Sequence, residues 1–334
     1  MKGWFGFFAL LLVKVLQAVP FAYVANYNGT SISIVDLETN SAMGYIDTAG
    51  FTITNPSDVR HTPDGTKAYL VADLSNAVFV IDTETNTIVR QIDSSTFPFS
   101  APAFVRFSPD GTKAYVSNQN GNNLSIIHTA TDTITGYVNS NAYAFNLPTD
   151  IAFSPDGTLA YVANYNGNNL SVINVATDTV IGYINNGSFP LDTPTFVNFI
   201  DNAKAYVCSL NSNQVGIIDM ASASITGYVN PGSFSFDLPF FAAATSDSAT
   251  AIILNVGSGQ ASVCTTATDT VMQQAGLLNG PREIALSSDN LTGFITNYLN
   301  NTVSIMDLTT NTLTGIVDST NYPFNAPFAI SISP

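Results

Sequence analysis

The segment 160–184, "AYVANYNGNNLSVINVATDTVIGYI", is spelled out almost unchanged at 114–138, "AYVSNQNGNNLSIIHTATDTITGYV", and again at 22–46, "AYVANYNGTSISIVDLETNSAMGYI". Working outward from its Tyr-Val pair, the same position returns at Tyr23, Tyr69, Tyr115, Tyr161 and Tyr206, then as Ile252 and Phe294. The spacings are 46, 46, 46, 45, 46 and 42 residues. Repeats of about 40–50 residues mark propellers and solenoids. The internal grammar decides between them. In the unit that starts at Pro148, "TDIAFS" ends in the turn "PDGT", "LAYVAN" in "YNGN", and "LSVINV" in "ATDT", before "VIGYI" completes the copy. Each run is short, rich in β-branched residues and bounded by turn chemistry. The Asn-Gly pair predicts a tight hairpin with positive φ angles. No apolar stripe of helical period follows residue 18. Four short antiparallel strands per copy, in seven copies, predict an all-β fold: a seven-bladed β-propeller of four-stranded antiparallel blades.

The ends of the chain support the same count. A leading proline opens the first run of each copy, at Pro56, Pro102, Pro148, Pro194, Pro239, Pro281 and Pro327. The repeat region begins at "AYVAN", a second run, and ends at "PFAISISP", a first run and nothing more. Residues 327–334 are therefore expected to complete the sheet of 22–47, one strand from the C-terminus and three from the N-terminus. The other blades are expected at about 56–93, 102–139, 148–185, 194–230, 239–276 and 281–318, within one propeller domain at 22–334. Closure of this kind removes two exposed strand edges.

The N-terminal stretch 1–18, "MKGWFGFFALLLVKVLQA", has a basic start, the apolar run Trp4–Val13 and small residues at its end. It reads as a cleaved secretory signal, too short to span a bilayer, with the cut after Ala18. No later segment is long enough to insert into a membrane. Nine Lys and Arg stand against 24 Asp and Glu, a formal charge of −15. Such a polyanion repels phosphate backbones, which excludes nonspecific nucleic-acid binding. Cysteine occurs only as Cys208 and Cys264. That leaves a single disulfide or two buried thiols open and excludes a disulfide-stapled scaffold.

The unit "SPDGTKAYVSNQNGNNLSIIHTATDTITGYV" at 108–138 resembles the YVTN-type β-propeller repeat of archaeal surface-layer proteins and exported bacterial propellers. The resemblance runs over 22–334, specific in the second to fourth copies and loose in "AIILNVGSGQASVCTTATDT". It implies an exported propeller, secreted, at a cell surface or in a periplasm. It implies no reaction, because the motif is architectural.

Two constellations could carry function. Strand polarity puts the inter-blade linkers on the same face as the Asn-Gly turns. Six linkers fit aromatic-x-apolar-polar-x-Pro, as in "FPFSAP" and "YAFNLP", while the seventh, "GLLNGP" at 276–281, is trimmed. Phe97, Phe99, Tyr143, Phe145, Phe189, Phe234, Phe236, Tyr322 and Phe324, with Phe51, could form a binding face for a peptide or glycan. The same rings also suit packing between blades. The second constellation is the channel lining on the first runs, where alternation places Asp58, Arg60, Arg106, Asp150, Asn198 and Glu283 near the axis, with Arg282 beside the trimmed linker. Three of the four arginines of the chain fall there. They suit a carboxylate or phosphate of a small ligand, or a structural ion-pair network with Asp58, Asp150 and Glu283.

The remaining signals argue against other chemistries. His61 stands in a column with Phe107, Phe153, Phe199 and Leu286, and His128 in a turn position held elsewhere by Asp36, Asp82, Asp219 and Asp307. Two histidines in unrelated slots do not make a metal site. No Gly-x-Ser-x-Gly elbow or phosphate-binding glycine loop occurs, and the "PDG" turns lack the acidic spacing of a calcium loop. No cofactor is expected. The main expectation is a non-enzymatic binding scaffold with an unidentified protein or glycan partner. The alternatives are an enzyme, lactonase-like hydrolase or lyase, with its site at the channel mouth, and a structural surface-layer component.

Overall fold

The computed structural model describes residues 20–140, 142–184 and 188–334; the expected signal segment 1–18 lies outside them. The described residues form seven four-stranded antiparallel sheets and no helix, so no helix is long and apolar enough to cross a membrane. The first strands are Pro56–His61, Pro102–Phe107, Pro148–Phe153, Pro194–Phe199, Pro239–Ala244, Pro281–Leu286 and Pro327–Ile332. The last of these pairs with Phe21–Asn26, in the register Ala22↔Ile332 and Val24↔Ile330. It closes the ring as blade 1; blades 2 to 7 follow in chain order from Pro56.

The repeated letters turn out to be fasteners. At the end of the second strand, Asn26, Asn118, Asn164, Asn255 and Asn297 are buried and donate to Ser33, Ser125, Ser171, Ser262 and Ser304 on the third strand, at 2.8–2.9 Å. This explains why the "N" of "AYVAN" and the "S" of "LS" travel together: a buried amide needs a fixed partner. Between blades, the Tyr and Lys of "KAY" grip the Asp of the next copy's "ATDT" turn. Tyr69 donates to Asp132 at 2.5 Å with Lys67 at 2.7 Å, and Tyr115 with Lys113, and Tyr206 with Lys204, hold Asp178 and Asp269 likewise. Blade 4 has the tyrosine but no anchor, because Ala223 occupies the turn position and the Tyr161 hydroxyl is buried without a partner.

A hydrogen bond to a charged group contributes about 1.5–3 kcal/mol, whereas an unsatisfied buried hydroxyl contributes nothing or costs. Tyr115→Phe is therefore expected to destabilise the protein by roughly 1–3 kcal/mol, and Tyr161→Phe to leave it unchanged or slightly more stable. Chemical denaturation of both variants checks the contrast; equal losses would refute the clamp.

A third fastener ties the turn of five copies to the next linker. Asn76, Asn122, Asn168, Asn213 and Asn301 accept from the amides of Ala101, Leu147, Thr193, Leu238 and Ala326, at 2.7–2.9 Å. Those five asparagines have φ of 48–58°. The left-handed residue is thus the Asn after the Asn-Gly pair in the two copies that carry "NGNN", and Gly121 and Gly167 are not left-handed. The expected tight hairpin with positive φ at the Asn-Gly pair is corrected to a four-residue connection that ends in a left-handed residue. The residue before every leading proline is also left-handed, from Asn55 and Ala101 to Gly280 and Ala326.

The second apolar residue of each linker fills the gap between blades. Ile53, Phe99, Phe145, Leu191, Phe236, Leu278 and Phe324 are all buried. Thus the trimmed linker "GLLNGP" keeps its core contact through Leu278 and differs in Leu277, which is fully exposed. Both cysteines are buried free thiols.

Candidate functional site

Each first strand carries a bulge just after its proline; Pro148 pairs with Asn164, for example, and the register resumes at Ile151↔Val162. The bulge swings the second residue after the proline across to the next blade. Where that residue is acidic, its carboxylate accepts the neighbour's backbone amide. Asp58 accepts from Val105 at 2.9 Å, Asp150 from Val197 at 3.3 Å and Glu283 from Ile330 at 3.2 Å. Two residues after Asp58, on the same face, Arg60 reaches back to its Oδ1 at 3.1 Å and to Glu283 at 2.5 Å. Arg106 of blade 3 bridges Asp58 at 2.7 Å and Asp150 at 2.6 Å. The result is one chain of charge, Glu283–Arg60–Asp58–Arg106–Asp150, that runs round the axis from blade 7 to blade 4. Arg60 also donates to the Ile330 carbonyl of blade 1 at 3.0 Å.

This chain borders a cavity of about 500 Å³, into which Arg60, Arg106, Asp150, Asn198 and Glu283 all face. Asp58 sits behind them, fully buried between the two arginines. Phe107, Phe153 and Phe199 form the wall toward the "PDG" turns, and Phe196 and Phe241 form the floor. The phenylalanines of that floor interlock: Phe196 lies 4.6 Å from Phe241 and 5.1 Å from Phe104, ring to ring. Together with Phe240 and Phe328 they plug the channel between its two mouths.

Six of the seven channel candidates therefore come together, and Arg282 does not. It follows its proline directly and lies on the linker side of the plug, with its guanidinium 5.0–5.6 Å from the rings of Tyr298, Phe240 and Phe328. The proposed aromatic binding face is also corrected. Phe99, Phe145, Phe236 and Phe324 are buried between blades. Phe97, Tyr143, Phe189 and Tyr322 pack edge-on against Tyr137, Tyr183, Tyr228 and Tyr45. Those four tyrosines donate to linker carbonyls, as Tyr137 does to Pro98 at 2.5 Å and Tyr228 to Pro190 at 2.8 Å. Phe234 packs against the core shared by blades 5 and 6. The rings brace the linkers because their partners, about one copy away in sequence, are built to receive them.

His61 is stacked on Tyr23 with Nδ1 2.9 Å from the Ser331 hydroxyl, and burial followed by the Arg60 charge pushes its pKa down to about 4. His128 is exposed and contacts Thr131 in its own turn. Among the described residues, no three His, Cys, Asp or Glu side chains are grouped to hold a metal ion.

Three carboxyls face two guanidiniums, Asp150 and Glu283 in the cavity and Asp58 behind it. The two end members of the chain are each ion-paired to one arginine only. Burial pushes Glu283 up to about 7 and Asp150 up to about 6, with the neighbouring arginines opposing but not cancelling the shift. Burial alone would lower Arg60, but Asp58 and Glu283 outweigh it and hold its pKa above the usual value. Two carboxyl groups poised near neutrality beside fixed cations suit proton transfer coupled to stabilisation of an oxyanion.

The same shifts predict how stability varies with pH. Glu283 and Asp150 hold protons in the folded state that the unfolded chain has already released, since their folded pKa values are raised. Their stabilising contribution is complete below about pH 4 and is lost as pH rises through about 7. The turn aspartates Asp64, Asp110 and Asp156, lowered by hydrogen bonds from Thr62, Ser108 and Ser154, act oppositely and lose their contribution in strong acid. The melting temperature is expected to peak near about pH 4–5 and fall toward pH 8. Thermal melts of the Asp150→Asn, Glu283→Gln double variant should show a flatter decline; an unchanged slope would contradict the assignment.

A lactonase family model, described as "Lactonase, 7-bladed beta-propeller", matches residues 54–199. That segment contains Asp58, Arg60, Arg106, Asp150 and Asn198. No curated protein matches in sequence. Among solved structures, a functionally unknown protein from Desulfotomaculum acetoxidans DSM 771 superposes with a TM-score of 0.77 at 17% identity, covering 93% of this chain and 98% of its own. The periplasmic gluconolactonase of Pseudomonas aeruginosa follows at 0.72 and 15%, covering 94% and 99%. A Bacteroides fragilis NCTC 9343 protein provisionally assigned as a 6-phosphogluconolactonase gives 0.71 and 12%, covering 96% and 99%. The expectation of a non-enzymatic binding scaffold is overturned by the family match, which favours the enzyme alternative. The chain is a seven-bladed β-propeller similar over residues 54–199 to the lactonase family.

Proposed function

We propose that the protein is a lactonase-like hydrolase whose site is the cavity at the turn-side mouth of the central channel. The observation that carries this reading is the lactonase family match over 54–199, because it spans four of the five members of the ion chain and Asn198. Asp150, ionised above about pH 6, takes a proton from water as the water oxygen bonds to the lactone carbonyl carbon. Arg106 and Arg60 stabilise the negative charge that moves onto the carbonyl oxygen. As the acyl–oxygen bond of the ring breaks, Glu283, partly protonated at neutral pH, supplies the proton to the departing ring oxygen. The product is an open-chain hydroxy acid. Two carboxyls with pKa values pushed apart divide base and acid roles in this way. The cavity of about 500 Å³ is ample for one sugar-sized ring.

The resemblance of 108–138 to the YVTN-type repeat, the character of residues 1–18 and the likeness to a periplasmic gluconolactonase support export, to a periplasm or beyond the cell. The test is continuous titration of acid released from δ-gluconolactone and a panel of other small lactones by the purified protein. Release no faster than the uncatalysed blank across the panel would overturn the reading.

A further inference from the structure

Arg282 stands apart from every other basic side chain among the described residues. Arg60, Arg106, Lys67, Lys113 and Lys204 are ion-paired, and Arg90 donates to the Thr131 carbonyl. Arg282 has neither a carboxylate nor a hydrogen-bond acceptor, and its Nε is buried without a partner. Its guanidinium instead rests among the rings of Tyr298, Phe240 and Phe328. The phenylalanine plug stands between it and the acids of the ion chain. Beside it the trimmed linker leaves Leu277 and Leu299 exposed. The side chain is half-buried, and burial lowers its pKa. Leaving a partly desolvated guanidinium without a counter-charge is costly, and an aromatic frame recovers only a part of that cost.

We propose that the linker-side mouth of the channel is a second binding site, in which Arg282 receives the carboxylate of a small organic acid while Tyr298, Phe240 and Phe328 hold its flat apolar body. A planar fork matches a carboxylate through two parallel hydrogen bonds. The rings favour a single delocalised charge over a doubly charged, strongly hydrated phosphate. The site is independent of the lactonase reading, since the plug separates it from the cavity on the turn side.

Benzoate serves as the probe, with acetate and inorganic phosphate for comparison, and affinity is read by ligand-observed NMR titration of the full chain. Benzoate is expected to bind at one site, more tightly than acetate or phosphate. Arg282→Gln is expected to weaken it at least tenfold. Phe328→Leu should reduce benzoate binding while leaving acetate unchanged, a readout that holds even if Arg282→Gln folds poorly. Equal benzoate affinity in wild type and a folded Arg282→Gln, or phosphate binding as tight as benzoate, would each overturn the proposal.

Discussion

Asp150→Asn should lower kcat for lactone opening by about 10²–10⁴-fold, the usual contribution of a positioned general base. The substitution keeps the shape of the side chain, and Arg106 retains Asp58 at 2.7 Å, so the ring should stay folded. Its KM should change little, because the amide still fills the same wall of the cavity. Glu283→Gln removes the proton donor and should abolish the alkaline limb of the rate profile. Wild-type kcat/KM is expected to rise as Asp150 ionises above about 6 and to fall as Glu283 loses its proton above about 7. Steady-state rates from pH 5 to 9 on the three proteins decide the matter. Turnover in Asp150→Asn within a factor of two of wild type would remove the carboxylate from the mechanism.

Deleting residues 327–334 should abolish cooperative folding. The segment supplies the first strand of blade 1, and with it the buried Ala329 and Ile330 and the whole inner edge of Phe21–Asn26. It also supplies the Ile330 amide that Glu283 accepts and the Ile330 carbonyl that Arg60 donates to. A fully buried large apolar side chain contributes about 1.5–3 kcal/mol. A domain's entire margin is about 5–15 kcal/mol. The lost burial, the opened ion chain and an exposed strand edge together exceed what that margin tolerates. Circular dichroism and calorimetry of the truncated chain should show no sharp transition; a cooperative melt at the wild-type midpoint would contradict closure.

The ring, its count and its closure were legible because the repeat carries its own register. Asn26 and Ser33, or Tyr69 and Asp132, recur at fixed offsets that only a repeated blade can satisfy. The ion chain was half legible, since alternation put Asp58, Arg60 and Arg106 near one axis but did not choose between a ligand site and a network. What strict alternation misses is the bulge. It sends adjacent Arg282 and Glu283 to opposite mouths, a separation that no period-two pattern encodes. The linker rings misled for a related reason. Phe97 and its brace Tyr137 lie a copy apart, so their pairing is visible only once the blades stand side by side. The catalytic reading was obscured because its residues are those that break the repeat: Asp58, Arg106 and Asp150 occupy slots filled elsewhere by Phe104, Ala152 and Phe196.

The Tyr–Lys–Asp grip makes each copy a tile with a plug on one border and a socket on the other. Copies 2, 3 and 5 carry the plug and copies 3, 4 and 6 the socket, whereas copy 6 has Thr250 and Ile252 in place of the plug and copy 5 has Ala223 in place of the socket. Grafting or duplicating units should therefore succeed between neighbours whose borders interlock and fail at the mismatched ones. The order of units round the disc is written into their edges, so shuffling them would jam the assembly even though every tile is individually sound.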